Sequence, residues 1–393
     1  MLLGALSPRT RTLAAHGARR GTPLPPRAPG RLPLDLNELA GRAPSPEVAA
    51  AVRGFSALDA YPRDAGSRER LLSALAAYRG LASADGLLVT AGSDDALALV
   101  CAAHAHRAAT SPPLFVLAPA PTYAGFAGMA GATDGVRLVC PLARSAEELA
   151  DAVRWATSSA RRGPPFAVIY APAPAAPLGY EVPEAWAVEV AERNPGSLVV
   201  VDEAYGELVG REGRWGGSRL AAEAASGRLP NLLVTGTFSK AFGLAGLRVG
   251  YVATHPDNVR ALTCLAHPHA VTDLAREAAA AALRSRAHYE AGFAALGRAR
   301  EALAAELAGW AGAAHVPAAG MSMLAFAPDP ARAAALLAAE HGVAAAAVRT
   351  DRLSALRLTL PADDAGVARL LAALHGARAS GLLRAADGTL PVA

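Results

Sequence analysis

The sequence predicts an α/β fold: a large domain with a mostly parallel, helix-flanked sheet, plus a smaller α+β C-terminal domain. Three observations carry that expectation. Short runs rich in Val, Ile and Leu, of the length of buried strands, recur between residues 87 and 253 and mostly alternate with helical or loop segments. Beyond about Pro256 the pattern changes to a long Ala- and Arg-rich helical stretch followed by three short strand-like pieces. The 393 residues are 52% hydrophobic and 18% charged, ample material for a packed core and for about two to three domains.

Residues 1–31 are rich in Arg, Pro and Gly without any period and are expected to form a partly disordered arm. Residues 32–60 read as an N-terminal segment packing on the small domain. In it, Leu34-Asp35-Leu36-Asn37-Glu38 is extended, and Pro44-Ser45-Pro46 opens a capped helix through Val48 and Val52. The large domain spans 61–256. After the turn at Tyr61-Pro62 comes a helix through Leu71, Leu72, Leu75 and Tyr78, and strands are expected at 87–90, 114–117, 136–140, 166–170, 198–201, 232–235 and 249–253. One helix is expected over 95–106, and Ser145 with Glu148 reads as a capping box for another ending near Ser158. Residues 257–393 hold a long connecting helix over 273–310, strands at 323–326, 344–349 and 355–360, and helices at 330–341 and 363–375.

Charge and cysteines exclude several classes. The net charge is +4, the arginines are scattered, and no basic stripe suggests nucleic acid; anionic small molecules are the expected exception. An irregular arm of this length cannot hold a helix-turn-helix, which argues against a DNA-binding regulator. Cys101, Cys140 and Cys264 form no C-x-x-C pair, so neither a disulfide framework nor a metal site is expected and a reducing cytoplasm fits. No apolar run reaches the ~18 residues of a membrane span. Leu2 to Leu6 is too short for a signal peptide core, and the expectation is a soluble, cytoplasmic protein.

The chemistry centres on Thr237-Phe238-Ser239-Lys240-Ala241-Phe242-Gly243, because Lys240 is the only lysine beside 37 arginines. A guanidinium stays protonated, whereas a lysine in a desolvated site can lose its proton and condense with a carbonyl. Lys240 therefore reads as a Schiff-base lysine, the plain alternative being a surface lysine left by chance. A pyridoxal phosphate site also needs an acid against the pyridine nitrogen and donors for the phosphate. Asp202 ends the apolar run Val199-Val200-Val201, where an ionised carboxylate could hold a pyridinium; otherwise it is a strand-end cap. Gly92, Ser93 and Asp94 lie between a strand and a helix, as a phosphate at a helix N-terminus requires, and Thr237, Ser239 and Arg248 add hydroxyls and a bidentate cation.

At these residues the sequence resembles the fold-type I, class I/II aminotransferases, and within them histidinol-phosphate aminotransferase and threonine-phosphate decarboxylase. The motif Thr237 to Tyr251 carries the resemblance, which covers nearly the whole chain after residue 32. It implies an aspartate aminotransferase-like fold, pyridoxal 5'-phosphate as cofactor and a homodimer with shared active sites. Lys240 would then form the imine and shuttle the proton. Asp202 would pair with the pyridine nitrogen, Tyr205 would donate to the ring 3-oxygen, and Tyr123 would stack on the ring. Gly92, Ser93, Asp94, Thr237, Ser239 and Arg248 would line the phosphate site, and Tyr61 would reach the partner subunit's phosphate. Arg357 would clamp the substrate carboxylate under a cover that includes Asn37. Arg349 is a candidate for a second anionic group. Tyr61, Tyr123 and Arg357 each have a plainer reading as packing or surface residues.

One departure bears on the reaction. The family's N-P-N-N-P-T-G becomes Ala173-Pro174-Ala175-Ala176-Pro177-Leu178-Gly179, so Ala176 stands where an Asn would donate to the ring oxygen. The plainer reading is an aminotransferase for a small amino acid or amino-phosphate, with Tyr205 as sufficient donor. The sharper one is a decarboxylase, or an oxidative or eliminating enzyme, on the same cofactor, to which His16-Gly17 adds a faint likeness.

Overall fold

Thirteen strands fall into three sheets in the computed structural model, which describes residues 29–39, 43–110, 114–159, 166–209, 215–317, 319–349 and 353–384. They are β1 (Leu32–Pro33), β2 (Leu87–Thr90), β3 (Leu114–Leu117), β4 (Val136–Val139), β5 (Phe166–Pro172), β6 (Leu198–Asp202) and β7 (Leu232–Thr237). There follow β8 (Gly250–Thr254), β9 (Ala314–His315), β10 (Ser322–Phe326), β11 (Val343–Ala344), β12 (Ala346–Arg349) and β13 (Ser354–Thr359). The arm's residues 1–28, His16 and Gly17 among them, lie outside the described residues.

The central sheet has the order β2-β8-β7-β6-β5-β3-β4. Only β8 runs antiparallel, against both β2 and β7; the remaining pairs are parallel. Every residue of β5 and β7 is buried, as strands covered by helices on both faces must be, which explains their unbroken apolar runs. Because β2 and β7 both run opposite to β8, their carboxyl ends and that of β6 open on one edge of the sheet. The register sets Thr90 and Thr237 on either side of Gly250, and Asp202 beside Thr235. Ligands of open α/β sheets collect at such an edge.

The second sheet, β12-β13-β10-β9, is antiparallel. A third pairs β1 with β11 and stitches the N-terminal segment to the C-terminal part of the chain. Neither β1 nor β9 is legible in sequence, since two residues carry no period. The strand expected at 344–349 is divided between β11 and β12, because each half pairs with a different partner.

The helix expected over 273–310 is two helices, Asp273–Arg284 and Arg286–Leu307. They break at buried Ser285, whose Oγ lies 2.8 Å from Ser45 Oγ, 2.8 Å from Glu47 Oε2 and 2.9 Å from Ala281 O. The alanines of the first are more than a helix-forming bias. Ala278 to Ala282 are buried, and their small size lets this helix lie close against the helices Pro46–Gly54 and Ala65–Arg79. The expected capping box is half formed. Glu148 N donates to Ser145 Oγ at 3.2 Å, but the Glu148 carboxylate accepts from Arg144 N at 2.8 Å and from the Arg144 guanidinium.

A buried ionic knot ties the Ala65–Arg79 helix to the loop after β6. Arg79 pairs with Glu203 at 2.8 Å, and the Tyr78 hydroxyl donates to Glu207 Oε1 at 2.5 Å. Gly217 permits the approach, since a Cβ there would stand 2.2 Å from Arg79 Nη1. Burial pushes the Glu207 carboxyl up to about 7. The unfolded chain releases that proton at the lower, ordinary value, so between the two pKa values the folded state binds more protons and stability should fall as pH rises. Thermal midpoints measured from pH 5 to 8 are expected to decline less in Glu207→Gln than in the wild type; equal slopes would refute this.

Candidate active site

The floor of the site is Asp202, the last residue of β6 and 6% exposed. Its Oδ2 accepts from the Tyr170 hydroxyl at 2.7 Å; its Oδ1 accepts from Thr235 Oγ1 at 3.0 Å and from Ala204 N at 3.1 Å. Burial raises its pKa against the lowering effect of these three donors. A cation placed against it would restore the ionised form. Tyr170 and Thr235 are functional candidates that sequence reading missed. Their signal was a polar atom inside runs otherwise apolar, β5 and β7.

Beside this floor lies a cradle of residues suited to an anion. The Ser93–Thr110 helix begins at the end of β2 and points its unpaired N-terminal N–H groups at the same edge. Gly92 has φ +88°, and a Cβ there would stand 2.6 Å from Arg248 Nη2. Glycine is thus favoured by the backbone, and it leaves room for the guanidinium to lie against it. Arg248 itself is left-handed at φ +50°, a conformation that for a non-glycine residue typically marks a functional loop. Its Nη1 donates to Ser239 Oγ at 3.1 Å and to Ala245 O at 3.1 Å, and Nη2 to Ala91 O at 3.4 Å. All three are uncharged oxygens. Thr237 Oγ1 bonds Ser239 Oγ at 3.1 Å and receives Ser239 N at 3.2 Å, so the hydroxyl pair and the guanidinium form one group. Asp94 is occupied differently: its Oδ1 accepts from the Tyr123 hydroxyl at 2.6 Å, which anchors that ring beside the cradle.

A strap covers the site. Leu34 N donates to Ala344 O at 3.0 Å, and Leu34 O accepts from Thr359 N at 2.8 Å. Asp35 O accepts from Arg357 Nη2 at 2.7 Å. The Arg357 Nε is buried with no hydrogen-bond partner, a donor left for another acceptor. Lys240 Nζ donates to Leu36 O at 3.2 Å and Asn37 O at 3.4 Å and lies 5.8 Å from the centre of the Tyr205 ring. Asn37 Nδ2 in turn donates to the Tyr205 hydroxyl at 2.8 Å. Lys240, Asp202, Tyr205, Asn37, Arg357 and the cradle therefore gather around one edge of the central sheet, brought there by β6, β7, β13 and the strap.

Two expected residues do not join them. Arg349 pairs with Ser354 while Arg357 pairs with Ala346. Ser354 and Arg357 are three residues apart, so the pleat turns Arg349 to the opposite face of the sheet from Arg357. Arg349 is exposed there and does not converge on this chain's site. Tyr61 is 67% exposed with its ring 5.1 Å from that of His269, so within one chain it contributes nothing to the cradle. Ala176 borders a small cavity with Pro174, Pro177, Tyr205, Met321 and Ser322.

The residues present fit pyridoxal phosphate. The amine, the buried acid and the anion cradle with its glycine-shaped opening are the three features such a group needs. Among the described residues there is no cluster of His, Cys, Asp or Glu suited to a metal ion, and no helix is long and apolar enough to cross a membrane.

The sequence model of the family described as aminotransferase class I and II matches residues 32–374. A histidinol-phosphate aminotransferase of Methylococcus capsulatus is 35% identical over 222 residues, 56% of this chain and 55% of that protein. This chain therefore matches about half the length of that relative. A histidinol-phosphate aminotransferase of Haloferax volcanii is 31% identical over 291 residues, 71% of this chain and 74% of that protein. Among solved structures, the histidinol-phosphate aminotransferase of Sinorhizobium meliloti in complex with pyridoxal-5'-phosphate superposes with a TM-score of 0.75 at 24% identity, covering 96% of this chain and 98% of that one.

Proposed function

This chain belongs to the aminotransferase class I and II family, and from that premise we propose that it is a pyridoxal phosphate-dependent aminotransferase acting on a small amino acid or amino-phosphate. The observation that carries the reading is the placing of the chain's only lysine amine, Lys240 Nζ, 5.8 Å from the centre of the Tyr205 ring at the sheet edge that also holds Asp202 and the anion cradle. Pyridoxal phosphate, when bound, supplies an aldehyde that condenses with amines and a ring that withdraws electrons from them. The backbone N–H groups of Gly92, Ser93 and Asp94, with the side chains of Thr237, Ser239 and Arg248, would hold its phosphate, and Tyr123, anchored on the Asp94 carboxylate, would stack on its ring. Asp202 would keep a proton on the ring nitrogen, and Tyr205 would donate to the ring 3-oxygen. The Lys240 amine would move the proton at the substrate's Cα. Arg357 orients the substrate by its anionic group, the spare donor being its Nε.

The strap shuts water out above Lys240. A homodimer completes the site, with the exposed Tyr61 reaching the partner's phosphate, and residues 61–256 act as the cofactor-binding domain against 257–393. Arg349, on the opposite face of its sheet from Arg357, has no role in this reading of the site. The cytoplasm is the proposed location.

The relatives' names point to histidinol phosphate as the first substrate to try. Purified protein loaded with pyridoxal phosphate should convert histidinol phosphate, or a member of an amino acid panel, only when 2-oxoglutarate or another keto acid is present, with one keto product per amine transferred. Release of carbon dioxide with no need for a keto acid would replace this reading with the decarboxylase that Ala176 raises.

A further inference from the structure

We propose that Asn37 is a positioning residue for Tyr205 that takes over the task left by Ala176, so that the covering strap, and not the loop after β5, sets how strongly the cofactor's 3-oxygen is held. This rests on the cofactor reading above and deepens it. Asn37 is 3% exposed and sits at φ +53°, a left-handed conformation that asparagine tolerates better than most residues. Its N–H donates to Thr359 Oγ1 at 3.0 Å, which holds the backbone against a side chain fully buried on β13. Its Oδ1, at 3.2 Å, and Leu34 O, at 3.1 Å, share the one proton of that hydroxyl. The Nδ2 donates to the Tyr205 hydroxyl at 2.8 Å.

A phenol oxygen that accepts one hydrogen bond keeps its own proton free to donate, and donates it more strongly because the two bonds polarise each other. Asn37 therefore both aims and strengthens the Tyr205 donor. Ala176 offers no second donor, and the cavity it borders shares Tyr205 as a wall. Thr359 belongs to the same strand as Arg357, whose guanidinium holds the strap at Asp35 O. The Tyr205 hydroxyl and the Arg357 guanidinium are thus joined through three residues of strap, Asp35 to Asn37.

The test is the pH at which the absorbance of the protein loaded with pyridoxal phosphate changes, which falls as donation to the ring oxygen strengthens. Asn37→Ala is expected to raise that midpoint by about 0.5 to 1 pH unit, the size of one ordinary hydrogen bond. Asn37→Asp keeps the shape but accepts the Tyr205 proton instead, and should raise it further. Asn37→Ala combined with Ala176→Asn should bring the midpoint back towards that of the wild type, a rescue that mere loosening of the strap would not give. A wild type that forms no borohydride-sensitive chromophore overturns both this proposal and the cofactor reading. A normal wild-type chromophore with unchanged midpoints in both Asn37 variants overturns the role of Asn37 alone.

Discussion

Lys240→Arg is expected to yield a folded protein that no longer fixes pyridoxal phosphate on borohydride treatment and transfers amino groups at least about 10²- to 10⁴-fold more slowly, the usual scale for losing a proton-transfer group. The fold should survive because the lysine's two partners in this chain are the carbonyls of Leu36 and Asn37, and a guanidinium can donate to both. Charge is conserved in the exchange. What is lost is the ability to give up a proton and attack a carbonyl, which a guanidinium lacks at any working pH. Mass spectrometry after borohydride reduction locates the label, which in the wild type should fall on Lys240. Retained transfer by the arginine variant, or a label elsewhere, would remove Lys240 from the centre of the mechanism.

Asp202→Asn is expected to lower kcat about 10²- to 10³-fold, the cost typical of losing one preorganised electrostatic partner in a dry site. The exchange is nearly isosteric. The amide oxygen can still accept from Thr235 and Ala204 N, and the Tyr170 hydroxyl can turn to accept from the new amide N–H. Thermal stability should therefore change little. The charge that keeps a proton on the ring nitrogen would be absent. Tyr170→Phe removes only one of three hydrogen bonds to the carboxylate and should cost roughly five- to tenfold. If Asp202→Asn retained wild-type kcat, the ring nitrogen would need no acid here and the floor of the site would require another explanation.

The strands of the central sheet were legible in sequence, within about two residues at their ends, because buried parallel strands read as short apolar runs. The glycine and hydroxyl cradle was legible too, since a helix start after a strand and a Gly-Ser turn are local features. Tyr170 and Thr235 were not. Their importance lies in facing Asp202 across neighbouring strands, and registers of that kind are set by pairing over long separations in sequence. The break at Ser285 was hidden for the same reason: nothing local marks it, and the residues that hold its hydroxyl, Ser45 and Glu47, are far away in the chain. That Arg349 and Arg357 take opposite faces was not legible either, because their distance in sequence says nothing about which face of the sheet each occupies. The pleat and the register decide that.

By itself the sequence determined the chemistry this protein can perform. One lysine among 37 arginines, an acid at the end of an apolar strand and a cradle at a helix start are fixed by residue type and local spacing, and no fold can supply a lysine that the chain does not encode. Tertiary structure decided how those groups are tuned. Thr359 and Tyr205 lie on either side of Asn37, 322 and 168 residues away from it along the chain, and only folding makes them neighbours. The burial that raises the Asp202 pKa and the hydroxyls that hold its carboxylate likewise come from strands packed around it, because desolvation and hydrogen bonding belong to the assembled surroundings of a group and not to the group.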